Sequence, residues 1–305
     1  MQTPKSFSLS YKILSLFSVI RGYNIMVLVL AQYLAAIFIF SPKKSLSYVF
    51  FDYQLFFIVL ASVCVVASGY IINNFYDVKA DRINRPIKAN LDNVVKQQTK
   101  LRIYFFLNFL GFVFGFIVSW RAALFFAVYI FSIWFYSHRL KKQAFIGLVT
   151  AAVLTVLPFF AIFVHFRNFS KIIFVHASFL FFVVLLRQLI KDLGNIRGAV
   201  ATNYITFPVK YGERNSRKLG IFIVFFTCIP AVILFFYPSI GYMKYYFVFS
   251  IFVLFFIAFM LWKHNLRKYY VLLHNILKIM LLVGILSLLL VDPSLIVERV
   301  IDKLN

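Results

Sequence analysis

Long apolar runs, recurring from one end of the chain to the other, constrain this fold more than any other feature. About nine segments reach or approach the roughly 20 residues that cross a bilayer as helix: 22–40, 54–74, 100–119, 122–137, 144–165, 172–191, 219–237, 245–262 and 270–291. A lipid environment leaves helices or closed barrels as the only spanning structures. The alternating apolar and polar pattern of a membrane barrel is absent. The expectation is an all-α, polytopic membrane protein forming one domain over residues 1–305. Residues 7–20 are mixed in character, with no small-residue cleavage site behind a short apolar core, so no signal peptide is expected.

Basic residues lie in the short connections between the runs. A net charge of +23 raises the possibility of a nucleic-acid partner, but this distribution is a topology signal rather than a binding stripe. Lys79, Arg82, Arg85, Lys88, Lys96, Arg139, Lys141, Lys142, Arg197, Lys210, Arg214, Arg217, Lys218, Lys263, Arg267 and Lys268 fall on one side of the bundle; Lys43, Lys44, Arg121, Arg167, Lys171, Lys244, Arg299 and Lys303 fall on the other. Counting the tail and helix ends, the balance is about 23 to about 8, which places the N-terminus in the cytoplasm and, after an odd number of spans, the C-terminus outside. The expected location is the cytoplasmic membrane. Cys64 and Cys228 sit inside apolar runs and read as buried hydrophobes. The five histidines show no pair at metal-ligand spacing.

Only 9 of 305 residues are acidic, which makes the stretch from Asn73 to Asp81 unusual. If it is helical, Asn73, Asp77 and Asp81 share one face, because residues four apart stack one turn above another. Two carboxylates and an amide oxygen on one face are hard ligands of the kind that hold magnesium on a substrate's phosphates. Two connections are longer than the rest, about 75–99 and about 192–218. They follow the second and sixth spans, a hint of approximate internal duplication. Asp52, Asp92 and Glu213 lie outside this pattern and read as surface charges. The 41 Phe and 18 Tyr read mainly as membrane-core filling. A transporter is disfavoured: the spans hold few ionisable residues, chiefly Lys278 and histidines, with no carboxylate partner among them.

These residues resemble the UbiA superfamily of intramembrane prenyltransferases over roughly residues 15–290. That family carries Asn-Asp-x-x-Asp-x-x-x-Asp after its second helix, matched here by Asn73, Asp77 and Asp81, with Asn74 in place of the first Asp and Asn84-Arg85-Pro86 following. Arg21 and Asn24 match an Arg-Pro-x-Asn motif, with Gly22 replacing Pro. The run from Tyr136 to Lys142 matches Tyr-Ser-x-x-Leu-Lys-Arg, and Gly147 falls at a family Gly. In the second acidic motif, entered through Arg187-Gln188-Leu189-Ile190-Lys191-Asp192, Asp192 is kept. Asn195 and Ala199 stand where carboxylates are expected, and an Ala offers no ligand. The wording around Asp77 is similar to bacterial members of the geranylgeranylglycerol-phosphate branch.

The resemblance implies a UbiA-like bundle with its active site at the cytoplasmic face. It also implies Mg2+-dependent transfer of a polyprenyl group, such as geranylgeranyl, from a prenyl diphosphate to a small acceptor within the membrane. That acceptor would be an aromatic ring or a glycerol-phosphate-type hydroxyl. Asp77, Asp81 and Asp192 would be catalytic, and together with Asn73 and Asn195 would hold metal. Asn24, Arg85, Arg139, Lys141 and Lys191 would bind substrate. The alternative is a degenerate member that binds a prenyl diphosphate or isoprenoid lipid without turning it over.

Overall fold

The computed structural model describes residues 8–41 and 44–292. Lys43, Arg299 and Lys303, used above for sidedness, and the tail from residue 293 lie outside the described residues. The described part contains helices and no strand. The chain opens with α1 (Leu9–Val19) and α2 (Gly22–Ala35), which runs into a π turn, Ala36–Phe40. Short α3 (Leu46–Phe50) precedes the long α4 (Tyr53–Asn84) and short α5 (Pro86–Asp92). Then come α6 (Gln97–Val118), α7 (Trp120–His138), α8 (Ala144–Phe166) and α9 (Lys171–Gly194). The remainder is short α10 (Ile196–Ala201), α11 (Phe207–Phe236), α12 (Lys244–Lys263) and α13 (Arg267–Ser287). Among the described residues nine helices are long and apolar enough to cross a membrane, and the chain is a multi-pass membrane protein.

The two connections read as loops are largely helical. At 32 residues, α4 spans about 48 Å, well beyond a hydrocarbon core of about 30 Å. Nothing in Lys79-Ala80-Asp81-Arg82 breaks a helix. The helix stops at Arg85, whose backbone is pushed out of helical geometry (φ −145°, ψ 65°) by Pro86. The last third of α4 thus carries Asn73, Asp77 and Asp81 past the apolar slab on a rigid rod. The region 192–218 likewise holds the end of α9, all of α10 and the start of α11.

Packing forms two apolar clusters. One joins α4, α6 and α7 around Val65, Ile71, Phe126 and Tyr129. The other joins α9, α11, α12 and α13 around Leu186, Val224, Leu254 and Leu273. Phe105, Phe109, Phe116 and Phe252 face outward, as they should against lipid. Backbone groups inside the slab stay satisfied even where the helix is broken. Pro158 in α8 cannot donate to the carbonyl of Leu154, and the Tyr129 hydroxyl donates to that oxygen at 2.9 Å instead.

The C-terminal ends of α4 and α9 meet at one point. The Asn84 amide donates to the Asn195 carbonyl at 3.4 Å and accepts from the Gly198 N–H at 3.2 Å. Arg267 donates to the carbonyls of Asn84 (2.7 Å) and Gly194 (3.0 Å), cations being favoured where helix carbonyls end. This approach requires a glycine at 198, since a Cβ there would stand 2.1 Å from Asn84 Nδ2 and 2.9 Å from the Ala80 carbonyl. Gly198→Ala is therefore expected to destabilise the protein by about 1–3 kcal/mol, read as a lower Tm in detergent. An unchanged Tm would contradict this account of the junction.

Candidate active site

On α4, Asn73 and Asp77 turn toward the loop between α7 and α8. The Lys141 ammonium pairs with Asp77 Oδ2 and reaches Asn73 Oδ1 at 3.4 Å, and the Ser137 hydroxyl donates to the same Asn73 oxygen at 3.2 Å. Lys141 is held by a tight turn, Leu140–Lys142, folded onto α8. Gly147 makes room for that turn, since a Cβ there would lie 2.7 Å from the Leu140 carbonyl. Asp77 Oδ1 is buried and has no hydrogen-bond partner.

Facing this arrangement from α9, Asp192 Oδ1 accepts from Gln188 Nε2 at 3.0 Å. A cavity of about 30 Å³ separates the elements, lined by Tyr136, Lys141, Gln188, Asp192 and Thr206, whose hydroxyl is also buried without a partner. That volume accommodates a water-sized group. Asp81 lies one turn beyond Asp77. Arg85 and Tyr204 are near both acids. The Tyr204 phenol is pushed up to about 12 by burial, with Asp77 and Asp81 adding to the effect. Burial, with Arg21 and Arg267 nearby, lowers the Arg85 pKa, while Asp81 and Asp77 oppose the shift.

The register of α9 sorts its polar residues. Gln188 and Asp192, four apart, line the small cavity; Arg187 and Lys191, one residue earlier, turn to a second cavity of about 580 Å³. Its lining includes Arg21 and Asn24 from the start of α2, Arg85 and Lys88 from the junction after α4, Asn195, and Arg267 and Lys278 from α13. Seven cations and no carboxylate face it. A left-handed turn at Arg21 (φ 54°) folds α1 back on α2, and the Phe17 ring occupies the space that a Cβ on Gly22 would need. The Gly that replaces the family's Pro is thus used here.

The expected site residues do not all converge. Asn73, Asp77 and Lys141 form one cluster, with Asp192 across the small cavity. Asn24, Arg85, Lys191 and Asn195 line the large one. Arg139 is exposed and lines neither. Ala199 is buried and offers no donor. Among the described residues no three His, Cys, Asp or Glu side chains gather at metal-binding geometry. Magnesium does not require that, since it binds through one or two carboxylates together with substrate phosphates. The unpartnered Asp77 oxygen, the Asn73 amide oxygen and Asp192 are donors of the type it takes.

Asn74, one residue from Asn73 and so turned about 100° away, belongs to a different network. Its amide oxygen accepts from the buried Lys100 at 2.9 Å and its Nδ2 donates to Asp92 at 3.1 Å. Asp92 also accepts from Ser18 (2.7 Å) and Lys88 (2.6 Å). Only 1% of Asp92 is exposed, so it is no surface charge: it docks α1 and α5 onto α4. Asp52 caps α4 and meets His165 at 3.2 Å, and Glu213 accepts from Tyr270 at 2.5 Å. Sequence reading missed the cavity roles of Arg187, Gln188, Arg267 and Tyr136. The available signal was the spacing of 187/191 against 188/192.

The UbiA prenyltransferase family model matches residues 25–282. A digeranylgeranylglyceryl phosphate synthase of Methanosphaera stadtmanae is 30% identical over 186 residues, covering 59% of this chain and 67% of that protein. The Methanobrevibacter smithii protein of the same name is 27% identical over 252 residues, covering 78% and 83%. Among solved structures, one of a digeranylgeranylglyceryl phosphate synthase superposes with a TM-score of 0.67 at 18% identity, covering 91% of this chain and 97% of the other. A UbiA homologue from Archaeoglobus fulgidus bound to GPP and Mg2+ gives 0.66 at 14%, covering 90% and 99%. The structural likenesses establish the fold.

Lys100→Met would strand Asn74 Oδ1 and remove a cation from beside Asp92. The expected loss is about 1–3 kcal/mol, seen as a Tm clearly below that of the exposed-position control Lys96→Met. Equal Tm values would show that the buried network contributes nothing to stability.

Proposed function

The chain belongs to the UbiA prenyltransferase family, and on that premise we propose that it transfers a geranylgeranyl-type group from a prenyl diphosphate to the hydroxyl of a glycerol-phosphate-type acceptor. The observation that carries this reading is the buried, unpartnered Asp77 oxygen beside Lys141, with Asp192 across a cavity of about 30 Å³. The names of the relatives support the choice of acceptor. The bond from the prenyl C1 to the diphosphate oxygen breaks, its electron pair leaving with diphosphate. The acceptor hydroxyl oxygen bonds to C1, giving an ether, and releases its proton.

Magnesium, when bound with the diphosphate, neutralises the charge that builds on the leaving group. Asp77 and Asn73 on α4 and Asp192 on α9 are the residues proposed to hold it, with Asp81 one turn beyond at the rim and Asn195 reaching in from the large cavity. Lys141 lies on the Asp77 carboxylate, where it can pass to a phosphoryl oxygen and hold the developing negative charge. Lys191, Arg85 and Asn24 bind substrate from the large cavity. The exposed Arg139 is a less direct contributor, guiding anions to the rim. The spacing of basic loops supports a site on the cytoplasmic face of the cytoplasmic membrane, with the N-terminus inside and the C-terminus outside.

A second reading has its own observation: Asn195 and Ala199 supply no carboxylate, which favours a protein that binds the donor without turnover. Product formation separates the two. With labelled geranylgeranyl diphosphate, Mg2+ and geranylgeranylglyceryl phosphate, wild type is expected to form the ether, and Asp77→Asn and Asp192→Asn to lose about 100-fold or more in rate. Chelating the metal should abolish the product. Wild type that binds donor yet forms no product with this acceptor would favour the second reading, and equal rates in Asp77→Asn would remove the first acidic motif from the mechanism.

A further inference from the structure

The large cavity carries more positive charge than a metal-bound diphosphate needs. The α9 register turns Asp192 to the other side of that helix, at the small cavity. On α13, positions 267, 271, 274, 275 and 278 share one stripe facing the large cavity. Lys278 lies eleven residues past Arg267, about 16 Å along the axis, within a helix apolar enough to span the membrane. A cation at that depth is costly and normally has a partner. Its Nζ stands 4.7 Å from the centre of the Tyr23 ring, which attracts the charge without neutralising it. No carboxylate lines the cavity. Arg187 lines the same cavity from α9; its backbone is hydrogen-bonded to His274, and its side chain forms no ion pair among the described residues. The Nδ1 of His274, one turn from Lys278, is buried without a partner.

Resting on the transfer reaction above, we propose that Arg187, Lys278 and the neighbouring Asn275 form a second anion subsite that holds the phosphate monoester of the acceptor. Such a group carries about −1.5 to −2 at neutral pH, enough to offset a guanidinium and an ammonium, and its oxygens suit the planar fork of Arg187. The Cβ bonds of α13 tilt toward its N-terminus, so Lys278 leans toward the mouth, where Arg267 closes the end of the cavity. The metal that binds the donor and the phosphate of the acceptor then sit on different flanks of α9. The two anions are kept apart, and each meets a matching charge. A phosphate held here fixes the distance from the acceptor hydroxyl to the donor and selects phosphorylated acceptors over neutral ones.

The test uses the purified full chain, with Lys278→Gln and Arg187→Gln compared with wild type and with Lys278→Arg as the charge-conserving control. Direct binding of geranylgeranylglyceryl phosphate, of its dephosphorylated alcohol and of Mg2+–geranylgeranyl diphosphate is measured separately, each without the other substrate. The expected result is a loss of about tenfold or more for the phosphorylated acceptor in both Gln variants, largely restored in Lys278→Arg. Binding of the alcohol and of the donor should stay within about twofold, a margin worth under half a decade of affinity. Donor binding that falls in Lys278→Gln while acceptor binding holds would assign these cations to the diphosphate and overturn the proposal. Equal losses for acceptor and alcohol would also overturn it, as would phosphatidic acid vesicles competing as well as the acceptor, which would make this a lipid-headgroup site. Because acceptor binding is read without donor, failure of wild type to bind donor would count against the transfer reading and leave this result intact.

Discussion

Everything at the active end of this molecule depends on the junction where α4 and α9 terminate together. Each helix ends in carbonyls that lack intrahelical partners, and at this junction the protein itself meets some of them. Arg267 meets one carbonyl from each helix, and the Asn84 amide stitches the end of α4 to the backbone of α10. The absence of a side chain at Gly198 is what allows the distance to close. With that junction made, the polar last turns of two otherwise apolar helices face one another, and α13 is fixed beside them through its first residue.

From there, helix periodicity distributes the charge. A step of one residue along α9 separates Asp192 from Lys191 and Gln188 from Arg187, so one helix is the acidic wall of a small cavity and the basic wall of a large one. A step of one residue on α4 does the same for Asn73, which meets Lys141, and Asn74, which meets Lys100 and Asp92. In an environment of low dielectric, where Coulomb interactions are strong, such sorting decides where a cation and an anion can bind. Oxygen donors gather at the small cavity and suit a metal. The polar groups of the large cavity are cationic or neutral, with no carboxylate among them, and suit an anion.

Much of this could be read before any coordinates. The nine apolar runs define the bundle, and the i, i+4 spacing of Asn73, Asp77 and Asp81 places them on one helical face. Less legible was where α4 stops: the polar residues after 75 suggested a loop, whereas Pro86 is the first residue that obliges the helix to end. Asp92 looked like a surface charge because its partners, Ser18, Asn74 and Lys88, come from three elements and leave no local signature. Lys278 stood out as a charge inside a span, but only the packing of α13 against α9 gives it Arg187 as a neighbour across a cavity. Arg139 shares a turn with Lys141, and the turn's geometry sends one side chain inward and the other to the surface. Residue type and spacing along one element were readable; the meeting of elements was not.

The α4 acids and Asp192 are proposed to hold a donor diphosphate through a metal. Binding of geranylgeranyl diphosphate to the purified protein, with and without Mg2+, in wild type and in Asp77→Asn, tests it without reference to any acceptor. Tight binding that requires Mg2+ in wild type and is lost in the variant is expected. Binding that ignores the metal, or that survives Asp77→Asn unchanged, would contradict it.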